Sequence, residues 1–523
     1  MRLADPFYYL HNFQAMLDTL RARDGDLLRA DEREFIARLA DLPPCARALL
    51  VRMVMRKGAL FRAGRLVYPE IGDVATAVAP LVAFGWVEDA PHVTLDEWFG
   101  LLSKAELFKT LGLPPRAAAM RKAELLETLR NQFTADQVAA SVCANLEERV
   151  YRLTVDDLCE RLRLMFFGNF RQNLTDFVLA DLQVFRFEKV ELACDSRPFQ
   201  TRGQVDAFLA LYRSRELLHA GADPLRALQA LPAPIPDCEW LGERRDKLRY
   251  QIARALERAG SWAAALEIYA DCAHPDAGRR AALVQRRLCP APRQRAPRPG
   301  ADPPHFVLTL APPVTGTSVE TLVRLHLGAE SGEATQLYYV ENALINSLFG
   351  LLCWRAVFAP LPGAFFHGFH HGPADLSSAG FSKRRAREFA ACLAELDSGA
   401  YVDTIRRQFA EKAGISSPFV AWGLLTPPLL ETALNCFPAA HLAHWFEWIL
   451  RDVTVNRSGF PDLVQFWPAA GRYRLIEVKA PGDRLQPNQR RCLDHCLLQD
   501  IPVSVCHVRW EEPAPSAHQF AVV

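Results

Sequence analysis

Gly459-Phe460-Pro461-Asp462-Leu463-Val464, followed past a turn by Leu475-Ile476-Glu477-Val478-Lys479-Ala480-Pro481-Gly482, is the stretch where the apolar period changes from helical to two. Asp462 to Phe466 is expected as a strand and Tyr473 to Lys479 as its partner, with Pro468 to Gly471 as the turn. Pro481-Gly482-Asp483 breaks the second strand. Pro487, favoured at a first helical position, opens a helix to about Leu498, and Pro502 to Val508 reads as a last strand. Upstream, Ser318 to Leu327 and Tyr339 to Phe358 read as helices. The expected C-terminal unit is therefore α/β, with a hairpin, a helix and a strand behind an N-terminal helix.

In that arrangement Glu477 and Lys479 stand two apart on one strand and point to the same face. Asp462 begins the neighbouring strand, within reach of a metal ion that also touches Glu477. A hard divalent cation held by such carboxylates leaves open positions for a water and a phosphate oxygen, the requirement for phosphodiester hydrolysis. Lys479 would contact the water or a non-bridging oxygen, and the Val478 carbonyl is a further candidate ligand. An Asp…Glu-x-Lys pattern alone also describes many surface hairpins. Pro461 before the aspartate, the apolar run into Glu477 and the Gly/Pro break followed by Arg484 and Gln489 favour the catalytic reading.

The remaining composition bounds the answer. A chain of 523 residues predicts two to four domains. Lys plus Arg number 61 against 60 Asp plus Glu, so any nucleic-acid surface must come from charge gathered on one face. The start, MRLADPFYYLHNF, lacks a signal-peptide pattern, and no membrane span is expected. Ala343 to Phe358, the most apolar stretch, reads as a buried helix. Thirteen cysteines without CxxC pairs indicate reduced thiols and a cytoplasmic setting. Cys492, His495 and Cys496 on one helical face, and the His367, His370 and His371 loop, both lack a recognised four-ligand spacing and read as structural.

Residues 1–93 read as helices followed by a short hairpin, a winged-helix-like order. Cys45 to Phe61 is a helical run, Arg65 to Tyr68 a turn element, Gly72 to Phe84 a second helix, and Phe84 to Val87 a strand. Arg52, Arg56, Lys57 and Arg62 form a basic face, read either as phosphate-tracking or as a solvated helix side. Residues 94–135 hold two short helices around Gly112-Leu113-Pro114. Ser103 and Glu106 form a capping box, and Lys122, Leu125 and Leu129 mark the second helix; this resembles the SAP DNA-binding module. Residues 136–288 read as a helical domain, where Ala255 to Cys272 carries the packing pattern of one tetratricopeptide-like pair. Residues 289–304, rich in proline and arginine, read as a linker before a domain at 305–523.

The GFPDLV segment, the LIEVKAPGDRL segment, Gln489 and Val505-Cys506-His507-Val508 together resemble the VRR-NUC domain of the PD-(D/E)xK superfamily. With the upstream module order, the resemblance narrows to a bacterial member of the Fanconi-associated nuclease family. The basic segment from Leu50 to Ile71, Phe166-Phe167-Gly168-Asn169 and Phe177-Val178-Leu179 also resemble that family. The resemblance implies a mainly α, multidomain protein: winged-helix-like and SAP regions, a tetratricopeptide-like domain and a C-terminal restriction-endonuclease-like domain. It implies a structure-specific nuclease cutting near 5′ flaps and branches, trimming 5′ to 3′, in interstrand crosslink repair. Mg²⁺ or Mn²⁺ is the implied cofactor, with Asp462, Glu477 and Val478 joined by a helix glutamate. Glu341 fits that position better than Glu320, although Val340 and Asn342 replace the family's glycine flanks. Arg52, Arg56, Lys57, Arg62, Lys122, Arg484 and Gln489 are the expected DNA contacts. The expected partner is branched or flapped duplex DNA at the nucleoid, with a homodimer on DNA left open. A Holliday-junction resolvase-like enzyme and a catalytically silent repair scaffold are the alternatives.

Overall fold

The computed structural model describes residues 5–113, 119–132, 146, 148–181, 184–192, 196–234, 238–289, 302–313, 316–331 and 335–511. Pro114 of the expected Gly-Leu-Pro turn, the start of the expected helical domain up to residue 145, and residues 290–301 of the expected linker lie outside them. The chain divides into two compact units, one of residues 1–184 with 194–256 and one of 185–193 with 257–523. The expected helical domain is thus shared between units, and the segment from Phe185 belongs with the C-terminal one.

The first unit opens with helices Tyr8–Arg23, Ala30–Leu39 and Pro44–Val54, then strand β1 (Leu60–Arg62), helix Val74–Ala83 and strand β2 (Val87–Asp89). The helix expected to run to Phe61 ends at Val54, Leu60–Arg62 is strand β1 instead, and it forms no hairpin with β2. Strand β3 (Val150–Leu153) inserts between them, antiparallel to both, with Leu60 opposite Arg152 and Val87 opposite Leu153. Everything from residue 90 to 149 is therefore an excursion between two neighbouring strands of one small sheet. Two short edges separated by a longer excursion leave no turn signal in the sequence, and only the tertiary pairing reveals the central strand.

Within the excursion, helix Lys104–Leu111 starts as the capping rule requires. Ser103 N donates to Glu106 Oε2 at 2.8 Å, and Glu106 N donates back to Ser103 Oγ at 3.3 Å. Gly112 ends it at φ +60°, and helix Lys122–Gln132 packs Leu125 and Leu129 against Trp98, Phe99 and Leu107. The unit continues through Asp156–Phe167 and Thr175–Asp181 to the long helices Arg202–His219 and Glu239–Arg258, the last crossing into the second unit.

The second unit is built on a five-stranded sheet of order β4-β8-β7-β6-β5: β4 His305–Leu310, β5 Gln336–Tyr339, β6 Leu463–Trp467, β7 Arg472–Lys479 and β8 Val503–Trp510. The β6–β7 hairpin, the Pro487–Leu498 helix and β8 are where the pattern placed them. β4 and β5 have no signal in the sequence pattern, and Tyr339 ends a strand instead of opening a helix; the helix runs Ala343–Leu352. Alternation sorts the sheet. Leu463, Ile476, Val478, Cys506 and Val508 pack with Val323 and Leu327 on one face. Val464, Phe466, Tyr473, Leu475, Val503 and Val505 join the large helical core on the other.

Candidate active site

Continuing the β6–β7 register one step past Leu463–Ile476 sets Asp462 against Glu477. Glu477 and Lys479 extend the row begun by Tyr473 and Leu475, so both enter the core-facing side of the sheet; Glu477 has no exposed surface and Lys479 is 7% exposed. Asp462 is anchored at both ends. Its Oδ2 accepts from Val478 N at 2.8 Å, while its carbonyl accepts from Val340 N at 2.8 Å and Glu341 N at 3.0 Å. That last pair ties the end of β5 to the start of β6 and places Glu341 beside Asp462 through backbone alone.

Glu341 follows β5 with φ +37°, a left-handed conformation that costs a non-glycine residue energy and is retained where surrounding structure over-determines it. Its carboxylate accepts from Tyr339 Oη at 2.8 Å and from Asn342 Nδ2 at 3.1 Å. In this arrangement no three carboxylate or histidine donors converge on one point among the described residues. To join the other two, Glu341 would have to leave Tyr339 and Asn342.

The electrostatics show what the cluster lacks. Burial, then the charge of Asp462, pushes the Glu477 carboxyl up, against the ammonium of Lys479. Burial also raises Asp462, where the Val478 hydrogen bond opposes it and Glu320 and Glu341 add to it. Burial and the Glu341 hydrogen bond raise Tyr339 as well. Lys479 Nζ stands 2.7 Å from Glu477 Oε1, a charge contact, yet neither oxygen of Glu477 meets a donor in hydrogen-bonding alignment. Two buried, unaligned carboxylate oxygens among further acids are the setting a divalent cation satisfies. Asp462, Glu477, the Val478 carbonyl and a swung Glu341 fit such an ion. Glu320 reaches Asp462 and Tyr339 electrostatically, whereas Glu341 acts on Asp462 and Glu477 both.

Two residues the motif reading passed over hold this geometry. Asn342, standing where a family glycine was expected, accepts at Oδ1 from Gly459 N and Phe460 N, fastening the loop that ends at Asp462. Gly459, at φ +92°, runs so close to the Pro487–Leu498 helix that a Cβ would lie 2.7 Å from Asn488 carbonyl atoms. The glycine of the motif was visible in sequence, but nothing there showed what it approaches. A cavity of about 350 Å³ opens beside Glu341, lined among others by Asn346, Ser417, Pro418 and Arg457.

The expected DNA contacts divide. Arg484 is exposed and makes no ion pair among the described residues, and Lys57 is likewise exposed and unpaired. Arg56 is exposed and donates to the Arg65 carbonyl at 2.9 Å. Arg52, however, is paired with Glu70 and lies 3.8 Å over the ring of Tyr9. Arg62, 11% exposed, is clamped between Glu106 at 2.6 Å and Glu148. Both have carboxylate partners within the fold, unlike Lys57 and Arg484. Lys122 Nζ donates to the Leu102 carbonyl at 2.7 Å and ties the two SAP-like helices to the preceding turn. Gln489 accepts from Lys479 Nζ at 3.0 Å and from Gln486 N at 2.9 Å, so it orients the lysine. Cys492, His495 and Cys496 are buried, and so are His367 and His370, which stack at 3.9 Å, whereas His371 is exposed and lies 2.6 Å from Ser416 Oγ. No described helix is long and apolar enough to cross a membrane.

Comparison with known proteins points the same way. Residues 7–88 match the family model described as FAN1, HTH domain; residues 93–141 match the Fanconi anemia-associated nuclease SAP domain; residues 397–510 match the VRR-NUC domain. A Fanconi-associated nuclease 1 homolog of Pseudomonas aeruginosa is 48% identical, with 97% of each chain covered. A homolog of Arabidopsis thaliana is 25% identical over 96% of this chain and 67% of its own. The crystal structure of paFAN1 bound to 2nt 5′ flap DNA with gap superposes with a TM-score of 0.91 at 45% identity, covering 98% of this chain and all of that one.

Proposed function

This chain belongs to the Fanconi-associated nuclease family, and on that premise we propose that it hydrolyses phosphodiesters near 5′ flaps and branches of duplex DNA. Trimming 5′ to 3′ and a part in unhooking interstrand crosslinks at the bacterial nucleoid complete the proposal. The observation that carries it is the pair of buried, unaligned carboxylate oxygens of Glu477 set against Asp462 and Lys479.

Asp462, Glu477, the Val478 carbonyl and Glu341 would hold the divalent cation, which we take to be Mg²⁺ or Mn²⁺. When bound, the cation supplies positive charge to phosphate oxygens and acidifies the attacking water. Lys479 Nζ, held by Gln489 and in charge contact with Glu477, would meet a phosphate oxygen on which charge develops. The Val478 N–H holds Asp462 Oδ2, leaving Oδ1 for the ion. Glu341 leaves Tyr339 and Asn342 to close the cluster. Arg56, Lys57 and Arg484 meet phosphates, fixing register without reading bases.

The test is cleavage of end-labelled 5′-flap, 3′-flap, nicked and four-way DNA with Mg²⁺ or Mn²⁺, wild type beside Asp462→Ala and Lys479→Ala. Expected are cuts near the 5′ flap by wild type only, with DNA binding kept by both variants. Full activity in either variant would overturn the site. Symmetric cutting of four-way DNA by a two-copy complex, its mass read by light scattering, would return the resolvase reading.

A further inference from the structure

The Phe166-Phe167-Gly168-Asn169 motif has no part in the nuclease centre, and its structure shows a different task. Gly168 ends the Asp156–Phe167 helix in a left-handed turn at φ +66°. Asn169 then folds the following loop on itself: its Nδ2 donates to the Phe167 carbonyl at 2.7 Å, and its Oδ1 accepts from Arg171 N at 2.9 Å and Gln172 N at 3.0 Å. This turn sends Phe170 inward and leaves Arg171 exposed. Phe170 packs 4.1 Å from Tyr212 and 6.1 Å from Phe208 on the Arg202–His219 helix, and Phe208 meets Trp240 on the Glu239–Arg258 helix at 6.1 Å.

Arginines rim this aromatic floor. Arg215 lies 4.9 Å over Tyr212; Arg244 lies 5.3 Å from the Phe208 ring and 5.6 Å from Trp240, while keeping an exposed face. Crowding by the rings, then the like charges of Arg171 and Arg215, works against the charge of Arg244, outweighing its chain neighbour Glu243. Arg171 and Arg244 make no ion pair among the described residues, and Arg215 reaches only the adjacent Glu216, at 3.5 Å. Other arginines of this unit do meet acids, among them Arg23 with Asp24, Arg152 with Glu97, and Arg161 and Arg202 with the buried Glu32. Like charges that outweigh the acids beside them are unfavourable until an anion arrives.

We propose that Arg171, Arg215 and Arg244 form a cradle for the phosphate backbone of a duplex DNA arm, built by the Phe166-to-Asn169 motif. Planar guanidinium forks suit phosphate oxygens, and an open surface across a loop and two helices suits a backbone rather than a small anion. The rings are occupied with one another and with the guanidiniums. No stacking platform is left for unpaired bases, so the favoured ligand is double-stranded. This inference rests on flapped DNA being the substrate.

The experiment measures binding of labelled blunt duplex and 5′-flap DNA between roughly 50 and 200 mM KCl for wild type, the triple variant R171Q/R215Q/R244Q and the triple R171K/R215K/R244K. Each lost phosphate contact should lower the slope of log K against log salt by about 0.9, up to about 2.7 for the glutamine triple, while the lysine triple keeps the wild-type slope. If the glutamine triple fails to fold, Arg171→Glu on the exposed loop should lower the slope by about 1. A folded charge-removed variant with the wild-type slope overturns the cradle. Wild type that neither binds nor cuts flap DNA overturns the substrate reading itself, and the cradle with it.

Discussion

Asn342 Oδ1 accepts the backbone N–H of Gly459 at 2.7 Å across 117 residues of sequence, and that of Phe460 at 3.1 Å. The residue beside one candidate ligand, Glu341, thereby holds the loop that delivers another, Asp462. Asn342→Ala leaves two backbone donors unpaired, at a cost of about 1–3 kcal/mol each where they are buried. We expect a raised Mg²⁺ or Mn²⁺ requirement for cleavage, by roughly 10- to 100-fold, as for other residues that orient ligands. A metal titration of activity at fixed DNA reads it, and an unchanged half-saturation removes Asn342 from the site's support.

Gly459→Ala acts on the other side of the same loop. The φ of +92° alone costs an alanine roughly 1–3 kcal/mol, and the new methyl would press on the Asn488 carbonyl. The helix so displaced carries Gln489, which holds Lys479. Denaturant unfolding should show the loss, and cleavage should fall further than stability explains.

Glu341 and Glu320 are separated by paired glutamine variants. Glu341→Gln should lower cleavage on the order of a hundredfold, the scale for losing one transition-state stabilising group. Glu320→Gln should lower it less, since Glu341 is among the main charges on both Asp462 and Glu477, whereas Glu320 is prominent at Asp462 alone. Single-turnover rates at saturating metal decide; the reverse order would move the fourth ligand to Glu320.

His370 is buried, its Nε2 accepting from Phe366 N at 3.3 Å, and burial holds its pKa at about 4. Unfolded, it titrates near 6.5. Its depressed value means its share of stability is complete above about pH 6.5 and is lost as pH falls toward 4, roughly 3 kcal/mol in all. His370→Phe should flatten the fall in unfolding free energy across that window.

Arg62→Gln should behave unlike the cradle arginines. It strips a partner from Glu106 and Glu148, destabilising the N-terminal unit by roughly 2 kcal/mol, below the cost at full burial. The salt slope of DNA binding should stay at the wild-type value, because Arg62 spends its charge inside the fold.

Local pattern carried a good part of this protein. The Ser103–Glu106 cap, the Gly112 stop, the Pro487 helix start and the β6–β7 hairpin depend on neighbours within a few residues, and each was readable. β3, β4 and β5 were not. β3 is a four-residue central strand whose partners lie about 60 to 90 residues away, and β4 pairs in parallel with β8 across some 200 residues. Short strands of that kind take their identity from non-local partners, which no window of sequence contains.

By itself, the sequence determined that Glu477 and Lys479 would share one face, because side chains on a strand alternate with a period that nothing downstream can change; the pairing register brings Asp462 to them. It determined too the order of helical, SAP-like and nuclease segments. Only the tertiary structure decided which charges are available. Arg52 and Arg62 look like phosphate contacts in a list of basic residues, yet the fold sets Glu70, Glu106 and Glu148 against them. Arg171, Arg215 and Arg244, dispersed in sequence, are brought to one aromatic floor where Arg215 alone of the three has an ion-pair partner among the described residues, its chain neighbour Glu216. Coulomb energy depends on distance in space, and distance in space is settled by packing across the whole unit.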